Sequence, residues 1–171
     1  MALDNHVRRF HPALLGFLTF TSIISLAIAA WLQSRYNAHH NYPTISLRDR
    51  NTFTLFTAVW TIVFNLIFMA LFLRASTRGS ILGSVASHFV IFFLTWIFWL
   101  AAASSLTAPL SGVNCSHAGF TYCDQLMADM AFAWINWILT TIFLFALLAL
   151  GIRSVRNGNG YRGGLVSGET Y

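Results

Sequence analysis

The sequence predicts an all-α membrane protein, a four-transmembrane-helix bundle with both termini cytosolic. Three observations predict it. First, long uncharged stretches separate the charged residues. Residues 10–34 lie between Arg9 and Arg35, 51–73 between Arg50 and Arg74, 79–123 between Arg78 and Asp124, and 130–152 between Asp129 and Arg153. About 20 apolar residues cross a hydrocarbon core roughly 30 Å thick, so each stretch can hold a span. Second, the 171 residues are 57% hydrophobic and only 9% charged, too little charge to coat a soluble domain of that size. Third, the arginines are asymmetric. Four spans put the N-terminus, the second loop and the C-tail on one side, with Arg8, Arg9, Arg74, Arg78, Arg153, Arg156 and Arg162. The other side has Arg35, Arg48 and Arg50. The positive-inside rule assigns the richer side to the cytosol. The net charge of +5 does not indicate nucleic acid, because the arginines sit at helix ends and in short loops, where they suit lipid headgroups.

The elements follow in order. Residues 1–9 are a cytosolic N-terminal segment, and residues 10–152 make up the membrane domain. The first helix covers about 12–33, and its apolar run exceeds the core of a cleaved signal peptide, so it reads as a retained helix. Ser22, Ser25 and Ala29 on it have the spacing that permits close helix approach. The second helix covers about 53–73 and carries Asn65; the third covers about 81–106, ends before Pro109 and carries His88. Gly79, Gly83 and Ser87 recur every four residues and mark a helix-packing face. The fourth helix covers about 126–152. Six tryptophans, Trp31, Trp60, Trp96, Trp99, Trp134 and Trp137, fall in the exoplasmic half of this topology. Indoles favour the headgroup level, so these are interfacial anchors, interhelical packing residues or scattered lipid-facing rings.

Cys115 and Cys123 share the exoplasmic loop before the fourth helix, and that oxidising compartment favours a disulfide over two free thiols. Thr121 and Asp124 have capping-box spacing at the helix start. Asn114-Cys115-Ser116 fits the glycosylation acceptor pattern, although its middle residue is the cysteine expected in the disulfide. Residues 153–171 are glycine-rich and arginine-containing and read as a flexible cytosolic tail. Ser76, Thr77 and Ser154 stand near arginines as candidate phosphorylation sites.

Ionisable groups inside a membrane are the first place to look for function. Asp129 is the only acid near a span, on roughly the helical face of Asn136, seven residues on. An acid directly before a 23-residue uncharged run is expected at the outer headgroup boundary, where it favours the positive end of the helix dipole. The sharper reading is a proton or cation site. Interhelical hydrogen bonding accounts for Asn65, His88 and Asn136. No catalytic residues, no cofactor site and no metal site emerge. Paired axial histidines for haem are lacking, and adjacent His39 and His40 have no cysteine or carboxylate at ligand spacing.

Arg8-Arg9, Tyr36 through Tyr42 (YNAHHNY), Phe53 to Trp60-Thr61, Thr95-Trp96-Ile-Phe98-Trp99, and the cysteine pair followed by Ala131-Phe132-Ala133-Trp134 make the chain similar to a fungal-type MARVEL-domain protein. The resemblance runs from about residue 8 to 152. It implies an M-shaped four-helix bundle with cytosolic termini, in the plasma membrane or an endomembrane or vesicle. It also implies roles in lateral membrane domains, membrane apposition and vesicle trafficking without catalysis, and fungal relatives are associated with plasma-membrane invaginations. A claudin-like barrier role is not implied, because the loop 34–52 has neither tryptophan nor cysteine. Expected partners are membrane lipids, sterol or sphingolipid among them, and other membrane proteins or a second copy, with no nucleic acid. The alternatives are a small transporter or channel, and an accessory subunit of a larger membrane complex.

Overall fold

The computed structural model describes residues 2–73, 85–116 and 121–156. These residues form four helices, α1 (Ala2–His39), α2 (Ile45–Leu73), α3 (Val85–Leu110) and α4 (Cys123–Arg156). Within them, Pro12–His39, Ile45–Leu71, Ser87–Leu110 and Cys123–Ala149 are long and apolar enough to cross a membrane. Consecutive helices pack side by side, and α4 packs back on α1, so the four close into a ring.

The bundle is built inside out relative to a soluble one. Phe17, Phe20, Leu66, Val90, Ile138 and Phe145 are exposed, while Ser22, Ser25, Thr57, Thr61, Asn65, Thr95, Asn136 and Thr140 are buried. Lipid tails solvate the outer face as well as a core would. Polar side chains, which find no water there, turn inward to one another. Apolar packing fills three layers along the bundle. Leu15, Leu18, Phe68, Phe92, Phe143 and Leu147 form the layer nearest the chain termini. Trp99 fills the middle layer, in space left by Ala58, Ala102, Ala103 and Ala133. Leu32, Tyr36, Leu47, Leu106, Leu110 and Leu126 close the layer under the two odd-numbered loops.

The helices outrun the expected spans. α1 continues to His39, past residue 33, and ends where His40 takes φ 48°. α2 begins at Ile45, not near 53, because Thr44 caps it. The Thr44 Oγ1 accepts the Leu47 N–H at 3.1 Å and the Thr44 carbonyl accepts the Arg48 N–H at 3.2 Å. Charged residues such as Arg48, Asp49 and Arg50 bound the hydrocarbon without ending the helix. α3 runs through Pro109 to Leu110, beyond the expected end at 106. Proline has no N–H for the Ser105 carbonyl four residues back, and Arg50 Nη1 donates to that carbonyl at 2.6 Å instead. Gly112, at φ 76°, supplies the left-handed residue that follows the helix.

α4 begins at Cys123, ahead of 126, and continues to Arg156, so residues 153–156 of the expected tail are helical. Its first turn closes on the Tyr122 carbonyl, which accepts the Leu126 N–H at 3.1 Å; Tyr122 therefore holds the position expected for Thr121. Tyr122 has φ 63°, a conformation that costs an L-residue roughly 1–2 kcal/mol, and the neighbouring disulfide and the rings of Trp31 and Tyr36 hold it there. Of the expected small-residue face, Ser87 lies in α3, whereas Gly79 and Gly83 lie outside the described residues, as do Ser76, Thr77 and residues 157–171.

Candidate functional site: a polar seam and a tryptophan–threonine lattice

α1 supplies the polar seam. Towards α4, Thr21 Oγ1 donates to Asn136 Oδ1 at 2.7 Å and Ser22 Oγ to the same oxygen at 3.2 Å. Nearer the odd-numbered loops, one turn on along α1 and two turns back along α4, Ser25 Oγ donates to Asp129 Oδ1 at 2.9 Å. Towards α2, Asn65 Nδ2 donates to Thr19 Oγ1 at 3.1 Å, and Asn51 Nδ2 to the Ala29 carbonyl at 3.0 Å and Gln33 Oε1 at 3.3 Å. Each of these bonds joins neighbouring helices. In lipid such a bond contributes about 0.6 kcal/mol, at most about 2. Ser22 and Ser25, expected to permit close approach, are also the donors.

Asp129 corrects the sequence reading. It is fully buried between α1 and α4, not turned to the headgroups. The helical register explains this, since Asp129, Ala133, Asn136 and Thr140 share one face of α4 and all four are buried. Asp124, exposed in the first turn of α4, occupies the helix-dipole position expected of Asp129. The second Asp129 oxygen, Oδ2, has no hydrogen-bond partner among the described residues. The Ser25–Asp129 contact is direct, hydroxyl on carboxyl, and it ties two helices.

The indoles form a second pattern. Trp60 Nε1 donates to Thr95 Oγ1 at 3.1 Å and Trp99 Nε1 to Thr61 Oγ1 at 3.0 Å, joining α2 and α3. Trp96 Nε1 donates to Thr141 Oγ1 at 2.8 Å and Trp134 Nε1 to Thr107 Oγ1 at 3.0 Å, joining α3 and α4. In all four pairs the threonine hydroxyl donates to the carbonyl one turn back, at 2.8–2.9 Å. Its proton is thereby directed along its own helix, and its lone pairs face the neighbouring indole. Sequence reasoning missed these threonines. The signal was present, a threonine opposite each of these four tryptophans in an antiparallel register.

Trp96 and Trp137 lie with ring centroids 5.8 Å apart, and Trp134 meets Trp137 edge to face at 5.5 Å. Trp31 alone of the six is exposed, at 39%, against the edge of Tyr122 and beneath the Arg35 guanidinium. That placement suits an anchor. His88 is buried in the layer nearest the termini, its ring 4.0 Å from that of Phe68.

At the opposite end, Cys115 and Cys123 form a disulfide that ties the loop to the first residue of α4. Asn114 is exposed, and its Oδ1 accepts the Ser116 N–H at 3.1 Å across the bonded cysteine. No group of three or more His, Cys, Asp or Glu among the described residues is placed to hold a metal ion. The arrangement clamps four helices to one another and turns aromatic and aliphatic surface outward.

A family model, MARVEL, described as a membrane-associating domain, matches residues 7–153. No curated protein and no solved structure matches the chain.

Proposed function

The chain belongs to the MARVEL family of membrane-associating domains and is an integral multi-pass membrane protein, and from that premise we propose that it organises lateral membrane domains or membrane apposition and vesicle traffic, without catalysis. The observation that carries the reading is where the chemistry points. Polar side chains of the spans bond helix to helix, and large apolar and aromatic residues such as Phe17, Phe20, Phe56, Phe93 and Phe145 face outward. A surface of this kind acts through what lies beside it in the bilayer: lipids (sterol or sphingolipid among them), other membrane proteins or a second copy of the chain. The membranes in question are the plasma membrane or an endomembrane or vesicle. Photobleaching of the C-terminally tagged protein in living cells tests it. Immobile surface patches support a domain organiser and moving internal puncta a traffic role, while a uniform, freely diffusing surface signal removes both.

One observation favours a second reading. Asp129 is buried inside the bundle with one oxygen unpartnered among the described residues, the kind of acid that proton- or cation-coupled transporters use. Substrate flux in proteoliposomes that is abolished by Asp129→Asn would replace the organiser with a transporter.

A further inference from the structure

Between the ends of α2 and α3 that meet the odd-numbered loops lies an open cleft of about 550 Å³, lined by Ile45, Ser46, Asp49, Arg50, Phe53, Ala101 and Ser105. Its walls are chemically ordered. Ser46 and Asp49 are exposed at the rim, and Arg50 is partly buried behind them. Phe53 lies a further turn into the span, beside Ala101, whose small side chain leaves the space open. Along α2, at about 1.5 Å per residue, the exposed Ile45 comes first at the loop, and from there towards the hydrocarbon the order is hydroxyl, carboxylate, guanidinium, phenyl ring. Phe53 then meets Phe56 and Phe98, so apolar surface continues inward from the cleft.

Two features give this cleft a ligand preference. The Arg50 guanidinium is held in position by its 2.6 Å bond to the Ser105 carbonyl, which Pro109 leaves without a backbone donor. A guanidinium carries five N–H groups, so that bond fixes the side chain and leaves further donors for a ligand in the cleft that Arg50 lines, in the fork geometry that suits phosphate. Asp49 adjoins Arg50 in sequence and lines the same cleft, yet neither bonds the other. Successive residues on a helix point about 100° apart, which keeps the two charges separate. A ligand complementary to both carries a negative charge deep and a positive charge towards the rim.

We propose that this cleft binds the headgroup of a zwitterionic glycerophospholipid bearing a primary ammonium, with its phosphate on Arg50, its ammonium at Asp49 and Ser46, and an acyl chain along Phe53 and Ala101. The rim offers a carboxylate and a hydroxyl oxygen as acceptors, so an ammonium with N–H donors gains both charge pairing and hydrogen bonds there, whereas a quaternary one gains charge pairing alone. A sterol has a single hydroxyl and would leave the separated charges unmatched. The inference rests on the chain spanning a membrane and not on the organising role.

The test is native mass spectrometry of the full chain in mild detergent, titrated separately with dioleoyl-phosphatidylethanolamine, dioleoyl-phosphatidylcholine and cholesterol. Phosphatidylethanolamine is expected to bind about tenfold more tightly than either other lipid, the effect of one charge-assisted hydrogen-bond set. Ala101→Phe fills the cleft and is expected to abolish that preference while leaving the melting temperature unchanged. Asp49→Asn, at an exposed position that does not threaten folding, is expected to weaken phosphatidylethanolamine much more than phosphatidylcholine and so bring the two lipids to the same level. Equal binding of the three lipids, stronger binding of cholesterol, or an ethanolamine preference that survives in folded Asp49→Asn would each overturn the proposal. None of these outcomes bears on the photobleaching result, so the two readings fail separately.

Discussion

Asp129 shows what a single residue obtains from its neighbours in lipid. Its Oδ1 accepts the Ser25 hydroxyl, and Oδ2 accepts nothing among the described residues. Ser25→Ala removes the donor and leaves both oxygens without a partner. The expected cost is about 1 kcal/mol in a detergent melt. Asp129→Asn keeps the shape and the acceptor for Ser25 while removing an acidic group, so it is expected to melt at or above the parent temperature. A marked fall would show that the bundle depends on the acid itself. Thr61 poses the same question in a neutral pair. Thr61→Val keeps the volume beside Trp99 but removes the acceptor, leaving a buried indole N–H unpaired at an expected cost of about 1–2 kcal/mol. In a double-mutant cycle with Trp99→Phe, the second substitution should remove that penalty; additive losses would mean that the bond contributes nothing. Much of this was illegible in the sequence for a physical reason. A span is apolar nearly all round, so hydropathy shows that Asp129 and Asn136 share a face without showing which way the face turns.

At the scale of the element, the helix ends are where charge patterning and backbone chemistry part company. Uncharged runs report the thickness of hydrocarbon a helix crosses, and all four spans were legible from them. The ends lie beyond, set by the Thr44 cap, the left-handed turns at His40 and Gly112, and the disulfide at Cys123. Pro109 is the sharpest case. Proline reads as a stop, yet α3 includes it because Arg50 from α2 satisfies the orphaned Ser105 carbonyl. Pro109→Ala restores a donor within α3. Arg50→Met is therefore expected to be destabilising in the parent by about 1 kcal/mol, as a charged donor leaves a partly buried carbonyl, and by much less in the Pro109→Ala background. Equal losses in both backgrounds, read from melting curves, would remove Arg50 as a substitute for the missing N–H. The disulfide acts on the same end of the bundle. Its cysteines are eight residues apart, so Cys115→Ser with Cys123→Ser is expected to lower stability by roughly 2–3 kcal/mol through a less constrained unfolded chain. Reducing agent should reproduce that loss in the parent and have no effect on the double variant.

For the whole molecule, the ring of helices follows from connectivity: short links make each helix the neighbour of the next, and α1 meets α4 through the seam of Ser22, Ser25, Asp129 and Asn136. Ring order and orientation are separate matters. The ring would be identical in either direction across a bilayer; only the charge outside the hydrocarbon distinguishes the two. Seven arginines on the side of the termini against three on the side of the odd-numbered loops favour cytosolic termini, each juxtamembrane arginine gaining about 1 kcal/mol near an anionic cytoplasmic leaflet. A disulfide is favoured on an oxidising side, and Cys115–Cys123 lies at the end opposite the termini. The two arguments are independent, one electrostatic and one redox, and agree. On intact cells, an impermeant maleimide is expected to label the chain only after reduction, and external protease to leave a C-terminal epitope whole. Labelling that required permeabilised cells, or loss of the epitope to external protease, would invert the molecule. The cysteine loop would then face a reducing cytosol that opposes its bond, and the lipid cleft between α2 and α3 would face the cytoplasmic leaflet.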